Sequence, residues 1–99
     1  MSAVIAVSVF ELHFPASRSL KDKRRVIKSL IERCHRHHRV SITESDFHDL
    51  RQRAEITLAL VASGEREIER ILDRIRGLID SQPEAELIFW EPQILGSSR

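Results

Sequence analysis

Residues 3 to 14, AVIAVSVFELHF, are β-branched, small or aromatic with almost no polar break before Glu11 and His13, which predicts a long strand. Pro15 stops it. Ser19 then offers an N-cap, with Asp22 three residues on as a short capping-box acid. Leu20, Ile27, Leu30, Ile31 and Cys34 follow at helical spacing, so a helix is expected to run to about His38. RVSITESDF over 39–47 reads as a second strand, HDLRQ as a turn, and RAEITLALVAS over 53–63 as a third strand. From Glu65, the spacing of Ile68, Ile71, Leu72, Ile75, Leu78 and Ile79 predicts a second helix that Pro83 ends. AELIFWE over 85–91 reads as a last strand, and the closing GSSR carries no packing signal.

The order strand, helix, strand, strand, helix, strand implies an α+β fold. Two right-handed crossovers around a hairpin give a ferredoxin-like βαββαβ arrangement, a four-stranded antiparallel sheet with two helices on one face. A single domain over residues 1–95 is expected, with 96–99 as a flexible C-terminal tail. In this topology the first strand-to-helix loop and the hairpin turn fall at the same end of the sheet. PASRSLKDKR and DFHDLRQR, distant in sequence, should therefore share a rim.

Alternation also divides the two faces of the sheet. Val4, Ala6, Phe10 and Leu12 lie on one face of the first strand, and Ala3, Ile5, Val7 and Val9 on the other. The third strand repeats this, with Ile56, Leu58 and Leu60 against Ala59 and Val61. Helices can cover only one face, and an open antiparallel face normally alternates to polar residues. This one does not. The expectation is a homodimer through the open face, set against a mildly apolar face that tolerates water.

Charge changes the picture locally rather than globally. Net charge is +1 over 99 residues, yet from Arg18 to Arg39 nine Lys/Arg face only Asp22 and Glu32. At about 100° per residue, Lys21, Arg24, Arg25, Lys28, His35 and Arg36 fall on one arc adjoining the apolar stripe, interrupted chiefly by Glu32, with Arg18 just ahead of the helix. Such an arc is either an ordinary solvated helix face or a surface for nucleic-acid phosphates. Lys23 projects onto the apolar side, where a charge requires a partner, and Asp46 or Asp49 of the hairpin turn is the nearest expectation.

Other chemistry is thin. The single Cys34 cannot form an internal disulfide, no signal peptide precedes Ala3, and the apolar runs are too short for a bilayer, so a cytoplasmic location without membrane contact is expected. Cys34 with His35, His37 and His38 has metal-like spacing but lacks two further convergent ligands, and histidines suit a helix C-terminus in any case. Asp46 and Asp49 could act as paired carboxylates, but Arg51 and Arg53 follow at once, so ion pairing within the turn is the simpler expectation. An acylphosphatase-like site needs an asparagine, and the chain has none. Stacking recognition of RNA needs aromatics on both central strands, and the third has none. No cofactor, metal site or catalytic constellation is expected.

SLKDKRRVIKSL, ITESDFHDLRQRAEI and PEAEL together resemble the YlxP-like family of small bacterial proteins, a domain of unknown function. The resemblance covers nearly the whole chain and implies a ferredoxin-like fold. Its motif positions here are Ser19, Leu20, Lys21, Lys23, Arg24, Asp46, Asp49, Leu50, Gln52, Arg53 and Ala54, with Arg51 standing where members often carry an aromatic residue. It brings no catalytic residue. Family genes often neighbour those of translation factors, which implies work near RNA or the ribosome. Two functional expectations follow. One is a non-enzymatic accessory protein contacting RNA backbone through Arg18, Lys21, Lys23, Arg24, Arg25 and Lys28. The other is a self-associating scaffold that grips a protein partner through Asp46, Asp49, Leu50, Gln52 and Arg53.

Overall fold

Ten residues of alternating burial make the first strand, and everything else is arranged around it. The computed structural model describes residues 3–96. In chain order the elements are β1 (Val4–His13), α1 (Leu20–His37), β2 (Ser41–Asp46), β3 (Arg53–Ala62), α2 (Glu65–Asp80), β4 (Glu86–Phe89) and β5 (Gln93–Leu95). The sheet runs β2-β3-β1-β4, with β5 also on β1, and every pairing is antiparallel. β3 occupies one edge of β1 along its whole length, so β4 and β5 share the other edge. This is the ferredoxin-like order.

The expected inner face is the buried one. Val4, Ala6, Phe10 and Leu12 of β1 and Ala54, Ile56, Leu58 and Leu60 of β3 are buried beneath the two helices. From above, α1 contributes Val26, Ile27, Leu30 and Cys34, and α2 contributes Ile68, Leu72, Ile75 and Ile79. Each such Ile or Leu stabilises the fold by about 1.5–3 kcal/mol relative to an exposed position. Ser8 is the one polar member of the inner row. It is buried, and its Oγ has no hydrogen-bond partner among the described residues.

Two helix starts differ in chemistry. The Ser19 hydroxyl accepts from the Asp22 N–H at 3.0 Å, as expected of an N-cap, while the Asp22 carboxylate accepts from the Arg18 N–H at 3.3 Å. Gly64 caps α2 without a side chain, and Ser63 instead donates to Glu67 from both its N–H and its hydroxyl.

Among the described residues the sheet has five strands, not the expected four, because the last one is broken. Pro92 has no N–H for the ladder, and Trp90 leaves the strand line to pack its ring against Phe10, centroids 5.3 Å apart. Pairing on β1 therefore jumps from Glu11 opposite Phe89 to Val7 opposite Gln93, and β5 continues past the expected strand end. Of the expected tail 96–99, residues 97–99 lie outside the described residues.

Candidate functional site

The β1–α1 loop and the β2–β3 loop meet at one end of the sheet, and backbone groups tie them together. The Phe14 N–H donates to the Gln52 carbonyl at 2.9 Å. In return, the Gln52 side-chain amide donates to the Pro15 and Ser17 carbonyls at 3.2 and 3.3 Å. Arg51 reaches the Arg18 carbonyl at 3.4 Å. Carbonyls that a loop would otherwise leave to water are thus used to fix one loop against the other.

Lys23 provides the strongest tie. The helix places it on the buried side of α1, 0% exposed. Its Nζ donates to the carbonyls of Phe47 (2.8 Å) and Arg53 (3.1 Å), with His48 at 3.4 Å. Glu44 supplies the counter-charge, its Oε2 2.9 Å away. Glu44 Oε2 makes no hydrogen bond among the described residues despite that distance, so the contact is an ion pair.

This corrects two expectations. Lys23 does not meet Asp46 or Asp49. A register shift in the β2–β3 ladder between Glu44 and Asp46 interrupts the alternation, so Glu44 stays in the row of Ile42 facing α1 and Asp46 does not. The Asp46 carboxylate instead accepts from the Phe47 N–H at 2.7 Å, and Asp49 is exposed at the turn. Lys23 also leaves the set of candidate phosphate contacts, because a fully buried ammonium cannot reach a polyanion.

Arg53 carries a third correction. Among the described residues neither Asp46 nor Asp49 forms an ion pair with Arg51 or Arg53. The Arg53 guanidinium instead grips Glu11 on the adjacent strand with two hydrogen bonds of 2.8 and 3.0 Å. Those bonds hold the Glu11 carboxyl below its ordinary range and push the Arg53 guanidinium up. The same guanidinium lies 4.2 Å above the Phe47 ring. Phe47 adopts a φ of 65°, uncommon for a residue with a Cβ, in the loop where its carbonyl meets Lys23 and its ring meets Arg53. Leu50 is exposed at the tip.

Arg18, Lys21, Arg24, Arg25 and Lys28 are all exposed. None of their side chains makes a hydrogen bond or an ion pair among the described residues. The four on α1 fall within an arc of about 100°, opposite Lys23 and Leu30. The rim is thus held from inside by one buried cation and presents five unengaged cations outside.

The Cys34–His38 cluster does not converge. Cys34 is buried in the core and burial pushes its thiol up, whereas His35 and His37 are exposed. Partial burial lowers His38, with His37 and Arg74 adding to the effect. Among the described residues no group of three or more His, Cys, Asp or Glu side chains is placed to hold a metal ion, and no helix is long and apolar enough to cross a membrane.

Sequence reasoning missed Glu44, Glu11 and the Phe47 carbonyl. A signal for Glu44 existed: it shares the alternating row of Ile42, the one apolar residue of SITESD. The carbonyl had none, since backbone direction in a loop leaves no mark on residue type.

Strand order, helices on one face and a two-loop rim define a small ferredoxin-like α+β protein with a cationic edge. The chain belongs to the family described as "Protein of unknown function (DUF503)", whose profile matches residues 5–91. It is 40% identical over 68 residues to "Uncharacterized protein YlxP" of Bacillus subtilis (strain 168), covering 69% of this chain and 74% of that one. Among solved structures, it is similar to the de novo designed protein Foldit4, with a TM-score of 0.54, 18% identity, and 94% and 97% of the two chains covered. De novo designed LFR1 1, described as having a ferredoxin fold, gives a TM-score of 0.45 at 19% identity, with 97% and 90% covered.

Proposed function

We propose that this protein is a non-enzymatic accessory factor that docks on RNA phosphates through the rim bearing Arg18, Lys21, Arg24, Arg25 and Lys28. One observation carries the reading: five exposed cations lie on one side of the α1 start with no internal partner among the described residues, on a frame the Lys23 and Gln52 contacts hold in place. Cations already paired have little to offer a phosphate, whereas unpaired ones release counterions from it without first breaking a contact. The translation-factor gene neighbourhood implied by the resemblance directs the choice of polyanion to RNA and the ribosome. No exposed Phe, Tyr or Trp lies in the β1–α1 or β2–β3 loop, so recognition is by backbone charge and carries little sequence preference.

Ribosomes and total RNA passed over the immobilised protein test this. Retention at low salt, loss at high salt, and loss in the combined variant Lys21→Glu, Arg25→Glu, Lys28→Glu are expected. Retention unchanged by that variant would refute the reading.

Leu50 supports a second reading. It is exposed at the hairpin tip, away from the sheet. A protein partner held there would bind in a salt-resistant manner and be released by Leu50→Asp.

A further inference from the structure

Seven large hydrophobic side chains are exposed among the described residues: Ile5, Val9, Leu50, Val61, Ile88, Phe89 and Leu95. Leu50 apart, they gather at the uncovered side of the sheet. Register places Leu95, Ile5 and Val61 in one row, with Val9 two residues along β1 from Val7, which pairs with Ala59. Phe89 lies opposite Glu11, and Ile88 is the bulged residue beside it. The backbone groups of the paired strands are used in the sheet, so the end of this face away from Glu11, His13, Arg53 and Glu55 offers a visitor apolar contact.

We infer that a second copy of this chain seats on this face, sheet on sheet. Two arguments select a copy over an unrelated partner. The first is area. The strands, ten residues in β1 and in β3, six in β2 and seven in β4 and β5 together, project roughly 500 Å² at about 3.3 Å per residue and about 4.8 Å between strands. A standard stable interface takes about 800 Å² of accessible surface per partner, so this face matches an interface at the small end of the range.

The second is pattern. Towards one end the rows read Leu95–Ile5–Val61 and Gln93–Val7–Ala59, and towards the rim they become Phe89–Glu11–Glu55 and Glu86–His13–Arg53. A two-fold axis running along the strands, between β1 and β3, lays apolar rows on apolar rows. Ile5 of each copy then faces Val61 of the other. An axis across the strands would instead set Ile5 and Val61 over Glu11 and Arg53, burying a charged pair under hydrocarbon. Aligned sheets cross at about 30°, which splays the charged rows into water. Where β4 breaks from β5, a recess of about 260 Å³ between Val9, Phe89 and Gln93 gives the facing sheet a hole to fill. This inference stands apart from the RNA reading.

Mass measured in solution across micromolar concentrations tests it. The expected value is twice the 11.5 kDa chain, unchanged by salt. Ile5→Lys and Val61→Glu, both at exposed positions, should each yield monomers with cooperative melting intact, while Leu50→Glu stays a dimer. Mixing the two monomeric variants should restore the double mass, because Lys at 5 of one copy then meets Glu at 61 of the other. A monomeric parent at 100 micromolar (on the order of a weak-dimer threshold) would overturn the dimer, as would a dimer indifferent to Val61→Glu. Folded monomers that fail to recombine on mixing would overturn the axis.

Discussion

The rim and the open sheet face are built on opposite plans. At the rim, polar contacts are spent internally: Lys23 on three carbonyls and Glu44, Gln52 on two carbonyls, Arg53 on Glu11. What remains outside is net positive charge. On the open face the backbone is satisfied by the sheet, and what remains outside at the end away from the rim is hydrocarbon. One surface can therefore bind only through long-range charge and loses strength with salt, while the other binds through area and resists it. A ligand should reveal which surface it uses by its salt dependence alone.

The largest expected effect separates the two cations at positions 23 and 24. Lys23→Met leaves the Phe47 and Arg53 carbonyls without their donor and Glu44 without its counter-charge, and should cost about 3 kcal/mol or more. Arg24→Met removes no side-chain hydrogen bond or ion pair among the described residues and should stay within about 0.5 kcal/mol. Urea unfolding midpoints of the two variants measure the contrast, and equal midpoints would mean the buried ammonium does not hold the rim.

Gln52→Ala removes two hydrogen bonds between the loops and should cost about 1 kcal/mol, lowering Tm by about 4–8 °C in a domain of this size. A Tm equal to the parent's would show that the Phe14–Gln52 backbone bond suffices.

Ser8→Ala acts on the sheet's buried face, where the hydroxyl has no partner. It should be neutral or stabilising by up to about 1 kcal/mol, because an unsatisfied polar group is removed and no contact is lost. Clear destabilisation would reveal a partner for that hydroxyl.

The smallest effect concerns acid. Arg53 depresses the Glu11 carboxyl, so the folded state binds its proton less readily than the unfolded chain. This contribution is fully present above the ordinary carboxylate range and is lost as pH falls through the depressed value. Arg53→Gln should therefore flatten the fall of stability below about pH 5, the start of ordinary carboxylate titration. An unaltered acid limb would mean that the pair contributes nothing in solution.

Much of this architecture was legible from alternation alone. Val4, Ala6, Phe10 and Leu12 declared the inner face, Ile5 and Val61 the outer one, and Ser19 the start of α1. The meeting of the two loops followed from topology, before any contact was known. Two features were hidden, both for reasons of register. The shift between Glu44 and Asp46 changes which carboxylate faces α1, and such an irregularity has no distinct residue type of its own. At the last strand Pro92 was visible, but a lone proline does not say that the chain will resume pairing at Gln93. The role of Lys23 was half legible: its place on the apolar side required a partner, and only the backbone of a neighbouring loop decided which.

The most direct test of the charged rim is the salt dependence of binding to a defined structured RNA. Affinity should fall linearly on a log–log scale as salt rises, with each phosphate contact adding roughly 0.7–0.9 to the slope. Neutralising Lys21, Arg25 and Lys28 together to Gln should reduce that slope by about 2–2.7, while Arg70→Gln on α2 leaves it nearly unchanged. An identical slope for the parent and the triple variant would contradict the account.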